Sequence, residues 1–109
     1  MKILIFENSK QIAERLIELI SETMKDITFY KAGSYAETVS LLTECNPDTV
    51  VLNLKYPNDW GIELLKEIKA SSNKIVVIAL LSEREEFKQW KKSGADFIFD
   101  KNYVLRELL

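Results

Sequence analysis

Apolar and polar positions change period several times along the chain, and each change marks an element. Ile3-Leu4-Ile5-Phe6 is a short apolar run without helical period, as in a strand covered on both faces. Ile12, Leu16, Leu19, Ile20 and Met24 then recur at three- and four-residue steps with Glu and Lys between them, which predicts a helix. Asn8 or Ser9 is placed to cap it. Ile27 to Tyr30 alternates and reads as a second strand at a sheet edge. Ser34-Tyr35-Ala36-Glu37 has capping-box spacing and opens a helix with Val39, Leu42 and Cys45 on one face, which Asn46-Pro47-Asp48 stops.

Thr49 to Leu54 is a third strand, β-branched and apolar apart from Asn53. Pro57 to Gly61 is a loop, and Ile62, Leu65 and Ile68 then predict a helix of about three turns. After the turn Ser71-Ser72-Asn73, Ile75 to Leu80 is a fourth buried strand. Ser82-Glu83-Arg84-Glu85 repeats the capping-box spacing and starts a helix carrying Phe87 and Trp90. Gly94 fits a helix C-cap, Phe97-Ile98-Phe99 is a fifth strand, and Tyr103 to Leu109 is long enough for about two helical turns. Five strands alternating with five helices imply right-handed crossovers and a parallel sheet with helices on both faces. The expectation is one domain over residues 1–109, closed by a short C-terminal helix.

Composition narrows the chemistry. With 109 residues, 47% of them apolar, the chain is sized for a single core and is too apolar for disorder. Fifteen Lys and Arg against seventeen Asp and Glu give a net charge of -2, which argues against a nucleic-acid binder. The lone Cys45 excludes a disulfide framework and a Cys-rich zinc site, and reads as an inert buried thiol. The absence of histidine excludes Ser-His-Asp triads, His-ligated metals and the usual cobalamin site. The apolar start is too short for a signal peptide and no stretch reaches membrane-span length, so a soluble cytoplasmic protein is expected.

In open α/β sheets, ligands bind outside the carboxyl ends of the strands. Glu7, Asn8, Asn53, Ala79, Leu80 and Lys101 are expected there. Taken alone, these are equally the polar loop residues that any such fold carries after its strands. Glu7-Asn8-Ser9-Lys10-Gln11 has no glycine, so neither a flavin-phosphate loop nor a dinucleotide fingerprint follows the first strand.

The order and spacing of these pieces resemble the receiver domain of bacterial two-component response regulators, over essentially the whole chain. The resemblance rests on Ile3 to Asn8, on Pro47 to Leu54 with Pro57 and Gly61 following, and on Gly94-Ala95-Asp96 with Lys101 beyond the fifth strand. It implies a flavodoxin-like (CheY-like) doubly wound sheet of order 2-1-3-4-5. It also implies a site in which an aspartate ending the third strand accepts a phosphoryl group, with Mg²⁺ held on it and on an acidic pair.

The chain departs from that pattern. The acceptor position falls on Asn53, and the acidic pair on Glu7 and Asn8. The switch hydroxyl falls on Ala79, the switch aromatic on Ile98, and only Lys101 is retained. An amide lacks the charge that makes a carboxylate a nucleophile, and hard Mg²⁺ prefers carboxylate oxygens. The family site's three acids and one lysine become Glu7 and Lys101, so Mg²⁺ binding is expected to be weak or absent, with Lys101 paired to Glu7 or to the Asn53 carbonyl.

The leading expectation is therefore a non-enzymatic, phosphorylation-independent receiver-like module acting through protein contacts. Its partner would be a signalling kinase, an output protein or a second copy, with no nucleic acid and no membrane. The alternative is a small α/β enzyme or anion-binding protein with Glu7 as base and Lys101 as clamp. Trp60 lids the pocket, marks a partner surface, or lies on its own helix. Val104 and Leu108, with Leu105 and Leu109 on the neighbouring stripe, form an apolar arc that either contacts a partner together with the fourth helix and fifth strand, or folds inward. Phe87 and Trp90 read as core, Lys91-Lys92 and Glu83 to Glu86 as solvated faces, and Asp48 as a turn residue.

Overall fold

The computed structural model describes residues 1–55 and 59–101. In chain order the elements are β1 (Lys2–Phe6), α1 (Lys10–Thr23), β2 (Thr28–Ala32), α2 (Tyr35–Cys45), β3 (Thr49–Asn53), α3 (Gly61–Ser71), β4 (Val76–Leu81), α4 (Arg84–Lys92) and β5 (Phe97–Asp100). The strands form one sheet of order β2-β1-β3-β4-β5, and every neighbouring pair is parallel. The flavodoxin-like order is as expected. The apolar stretch 103–109, expected to add a fifth helix, lies outside the described residues.

Burial follows position in the sheet. β3, flanked on both sides, is buried at all five positions, whereas β2 and β5 at the two edges are only partly covered. Alternation splits the core in two. Leu4, Phe6, Val50, Leu52, Val77, Ala79 and Leu81 face Leu42 of α2, Leu64, Leu65 and Ile68 of α3, and Trp90 of α4. Ile3, Ile5, Val51 and Leu80 face Leu16 of α1 on the opposite side. Trp90 is core as expected, and Phe87 packs half-buried against the same cluster.

Local chemistry sets the helix ends. Ser9, rather than Asn8, caps α1 by accepting from the Ile12 N–H. Ser34 caps α2 by accepting from the Glu37 N–H, while the Glu37 carboxylate accepts from the Gly33 N–H, one residue before the usual capping-box donor. Asn46 ends α2 in the left-handed conformation at φ 48°. Ser82, expected as the cap of α4, is displaced because β4 runs on to Leu81. The N-cap falls on Glu83, without a side-chain hydrogen bond.

Two aspartates pin the amino end of the sheet. The Asp48 carboxylate accepts from the Lys2 N–H at 2.8 Å, and its own N–H donates to the Lys2 carbonyl at 2.9 Å, so it is a strand clamp as well as a turn residue. Asp96 repeats the device two strands away, accepting from the Val77 N–H at 2.8 Å and donating to the Val77 carbonyl at 2.9 Å. Lys69 of α3 donates to the same Asp96 oxygen and to the Ile75 carbonyl, both at 2.5 Å. These pins fix the starts of the strands, and their carboxyl ends then line up at the opposite edge.

Candidate functional site

The carboxyl edge gathers Glu7 after β1, Asn53 at the end of β3, and Lys101 after β5. Register places Phe6 beside Leu52, Asn53 beside Leu80, and Leu81 beside Asp100. β4 therefore ends at Leu81, not at Leu80. Ala79 lies two residues inside it, fully buried between Leu52 and Ile98, while Ile98 is half-buried.

Asn53 is 4% exposed and hydrogen bonds through Nδ2 to Glu7 Oε2. A carboxylate only accepts, so this contact fixes which limb of the planar amide faces Glu7. The other limb, Oδ1, is buried without a protein partner among the described residues. Leaving such an acceptor unmatched costs about 1–3 kcal/mol. The second Glu7 oxygen, Oε1, accepts from the Ser9 N–H at 3.0 Å. Both oxygens are thus engaged by neutral donors, one from β3 and one from the cap of α1.

Lys101 pairs with neither group expected for it. Its Nζ donates to the Leu54 carbonyl at 2.9 Å, one residue beyond Asn53. Burial pushes the Lys101 ammonium below the usual lysine range. The Glu7 charge pulls it partly back up, and Lys55 pushes it down again. Asn8 is exposed. With Glu7, Lys10, Ala13, Lys31, Ala32, Gly33 and Glu37 it lines a shallow depression of about 160 Å³ on the β2 side, and Lys101 is not among the lining residues. The base-and-clamp arrangement of Glu7 and Lys101 is therefore not assembled as an ion pair.

Trp60, the N-cap of α3, meets Phe6 at the end of β1 with ring centroids 5.3 Å apart, and Tyr35 at the start of α2 at 5.8 Å. The Tyr35 hydroxyl donates to Glu67 Oε2 at 2.5 Å, and this bond, with burial and the nearby carboxylates, pushes Tyr35 up to about 12. Trp60 thus bridges the end of β1 and the start of α2. Nothing in the sequence spacing pairs Trp60 with Phe6 or Tyr35, which lie 54 and 25 positions away, so those contacts went unforeseen.

The resemblance implies Mg²⁺ at this edge, and the side chains do not fit it. Among the described residues Glu7 is the one carboxylate hydrogen-bonded to the Asn53 amide, both its oxygens are engaged, and the limb turned to it is the N–H donor. Lys10 and Lys31 line the depression together with Glu7 and Glu37, and Lys55 lies near enough to Lys101 to push it down. Among the described residues, no group of three or more Asp, Glu, Cys or His is placed to hold a metal ion.

A parallel sheet of this order, with its polar residues converging on the carboxyl edge and helices on both faces, defines a flavodoxin-like doubly wound domain. A sequence profile described as the response regulator receiver domain matches residues 3–109. The chain belongs to that family. It is 28% identical over 109 residues to the sporulation initiation phosphotransferase F of Bacillus subtilis, covering 98% of this chain and 86% of that protein. It is 26% identical over 106 residues to a response regulatory protein of Staphylococcus epidermidis, covering 96% of this chain but 40% of that one. It therefore spans less than half the length of that relative, and 53% of the transcriptional regulatory protein PdtaR of Mycobacterium tuberculosis. The signal receiver domain of a DNA-binding response regulator from Colwellia psychrerythraea superposes with a TM-score of 0.79 at 23% identity, covering 98% of this chain and 92% of that one.

Among the described residues, no helix is long and apolar enough to cross a membrane.

Proposed function

We propose that this receiver domain signals through protein contact, without phosphorylation at Asn53 and without catalysis of its own. In this reading Asn53 stands at the acceptor position, Glu7 and Asn8 at the acidic pair, Ala79 and Ile98 at the switch positions, and Lys101 is the retained lysine. The carrying observation is the buried Asn53 amide hydrogen-bonded to Glu7. An amide nitrogen whose lone pair is delocalised into the carbonyl offers no nucleophile to phosphorus, and the carboxylate of Glu7 that accepts its N–H is far too weak a base to deprotonate it. Incubation of the chain with Mg²⁺ and acetyl phosphate, followed by intact-mass measurement, should leave the mass unchanged. Acid-labile phosphate on any aspartate would overturn the reading.

The partner is a protein, and a cytoplasmic kinase, an output protein or a second copy fits the family. The contact surface in this reading combines Trp60, α4 and β5 with Val104, Leu105, Leu108 and Leu109, which lie outside the described residues. Phe97 and Phe99, 54% and 49% exposed on β5, support it, because two adjacent half-bare aromatics on an edge strand invite cover. Light scattering over a wide concentration range, with pull-down by wild type and by Leu105→Glu, tests the surface. A Leu105→Glu chain that keeps every association of wild type would remove the C-terminal arc from it.

A further inference from the structure

We propose that the Asn53 amide takes the place of a bridging cation at this edge, so that Glu7 and Asn53 form a metal-excluding clasp between the ends of β1 and β3. A divalent cation joins two strand ends by accepting lone pairs from an oxygen on each. Here the same join is made by an N–H donor on β3 and a carboxylate acceptor on β1. The two solutions exclude one another, because a donor hydrogen and a cation compete for the same Glu7 lone pairs.

Three further observations make the exclusion structural rather than a matter of one missing charge. The Ser9 N–H holds Oε1, so Glu7 cannot swing toward an ion without uncapping part of the α1 entry. Presenting Asn53 Oδ1 to an ion would require the amide to turn over inside a site where the residue is 4% exposed, and would point its N–H₂ elsewhere into that interior. Lys101, anchored on the Leu54 carbonyl, keeps a positive charge within electrostatic reach of Glu7. The buried Oδ1, without a partner among the described residues, is the cost of aiming the other limb at Glu7. Asn53 is in this view a positioning residue, and the ends of β1 and β3 are held together in any ionic medium.

The inference concerns the same pocket as the reading above but fails separately from it. Covalent phosphate would end that reading, whereas metal binding would end this one. Mn²⁺, a paramagnetic ion of similar ligand preference, is the probe, read by electron spin resonance of the free ion and by thermal unfolding in Mn²⁺ or Mg²⁺ against chelator at constant ionic strength. The wild-type chain should take up no Mn²⁺ at millimolar concentration, and its melting temperature should be the same in metal and chelator. Asn53→Asp, which sets two carboxylates together, should bind Mn²⁺ and melt about 5 °C higher in saturating metal than in chelator. Asn8→Asp added to it should enlarge that shift. Stoichiometric Mn²⁺ on wild type would overturn the clasp, and so would an Asn53→Asp chain that ignores metal. If Asn53→Asp is unfolded in chelator, circular dichroism with Mn²⁺ decides: refolding supports the clasp, and a chain unfolded in both overturns it.

Discussion

Trp60 stands edge-on to Phe6, with their planes at 65°, so the residue that opens α3 is seated on the last residue of β1. Tyr35 also meets the indole edge-on, with the planes at 73°. Edge-to-face pairs add about 0.5–1.5 kcal/mol each beyond the area they bury. Trp60→Ala should therefore lower unfolding stability by about 2–3 kcal/mol, and Trp60→Phe by clearly less. Urea titration followed by circular dichroism checks both, and equal losses would mean that ring packing at this position is unimportant.

Lys69 and Asp96 give the chain a pH signature. Partial burial raises the Asp96 carboxyl, but the hydrogen bonds from Lys69 and the Val77 N–H, with the Lys69 charge, outweigh it and set it below the usual carboxylate value of 3.8. A lowered folded-state value means that the group contributes stability above its unfolded value and loses it as pH falls through the folded one. Wild type should therefore lose stability as pH drops below about 4, and Asp96→Asn should show a shallower loss over that interval. Parallel melting curves between neutral and acid pH would detect it; superimposable slopes would discount the pair.

Gly94 and Gly33 separate backbone strain from space. Gly94 sits at φ +116°, where a side chain is strained even though the nearest atom to a β-carbon, Lys69 Cγ, is at an ordinary 3.4 Å. Gly33 has no neighbour within 4 Å of the same position and no such φ. Gly94→Ala should cost about 1–3 kcal/mol and Gly33→Ala close to nothing, both read by denaturant midpoint.

Restoring carboxylates should restore chemistry in a graded way. Asn53→Asp alone should label weakly with acetyl phosphate, because Asn8 still leaves the metal short of anionic oxygen, and Asn8→Asp with Asn53→Asp should label more. Equal labelling of the two would show that the second acid is dispensable.

The sheet was legible because β1, β3 and β4 are apolar runs too short for helices, and the two serine caps punctuate them. The end of β4 was misplaced because Leu80 and Leu81 are equally apolar, and only pairing with Asp100 carries the strand one residue further. Glu7 and Lys101 follow β1 and β5 at the carboxyl edge, but the spacing does not disclose their partners. Lys101 to the Leu54 carbonyl and Asn53 to Glu7 depend on side-chain reach across strands, which periodicity does not encode. The clamp of Asp96 on Val77 has no sequence signal, since an aspartate after Gly-Ala looks like any loop residue.

Among the described residues β5 is the shortest strand, four residues long, and pairs with β4 alone. Cooperative units of low local stability tend to be those with few partners, so native-state hydrogen exchange should find β5 opening before the rest of the sheet. Lys101 follows it directly and is anchored on Leu54 near the end of β3. A sub-global opening of β5 would lift this cation from Leu54 and leave Glu7 and Asn53 in place. On that expectation, the charge balance at the carboxyl edge follows the opening and closing of β5.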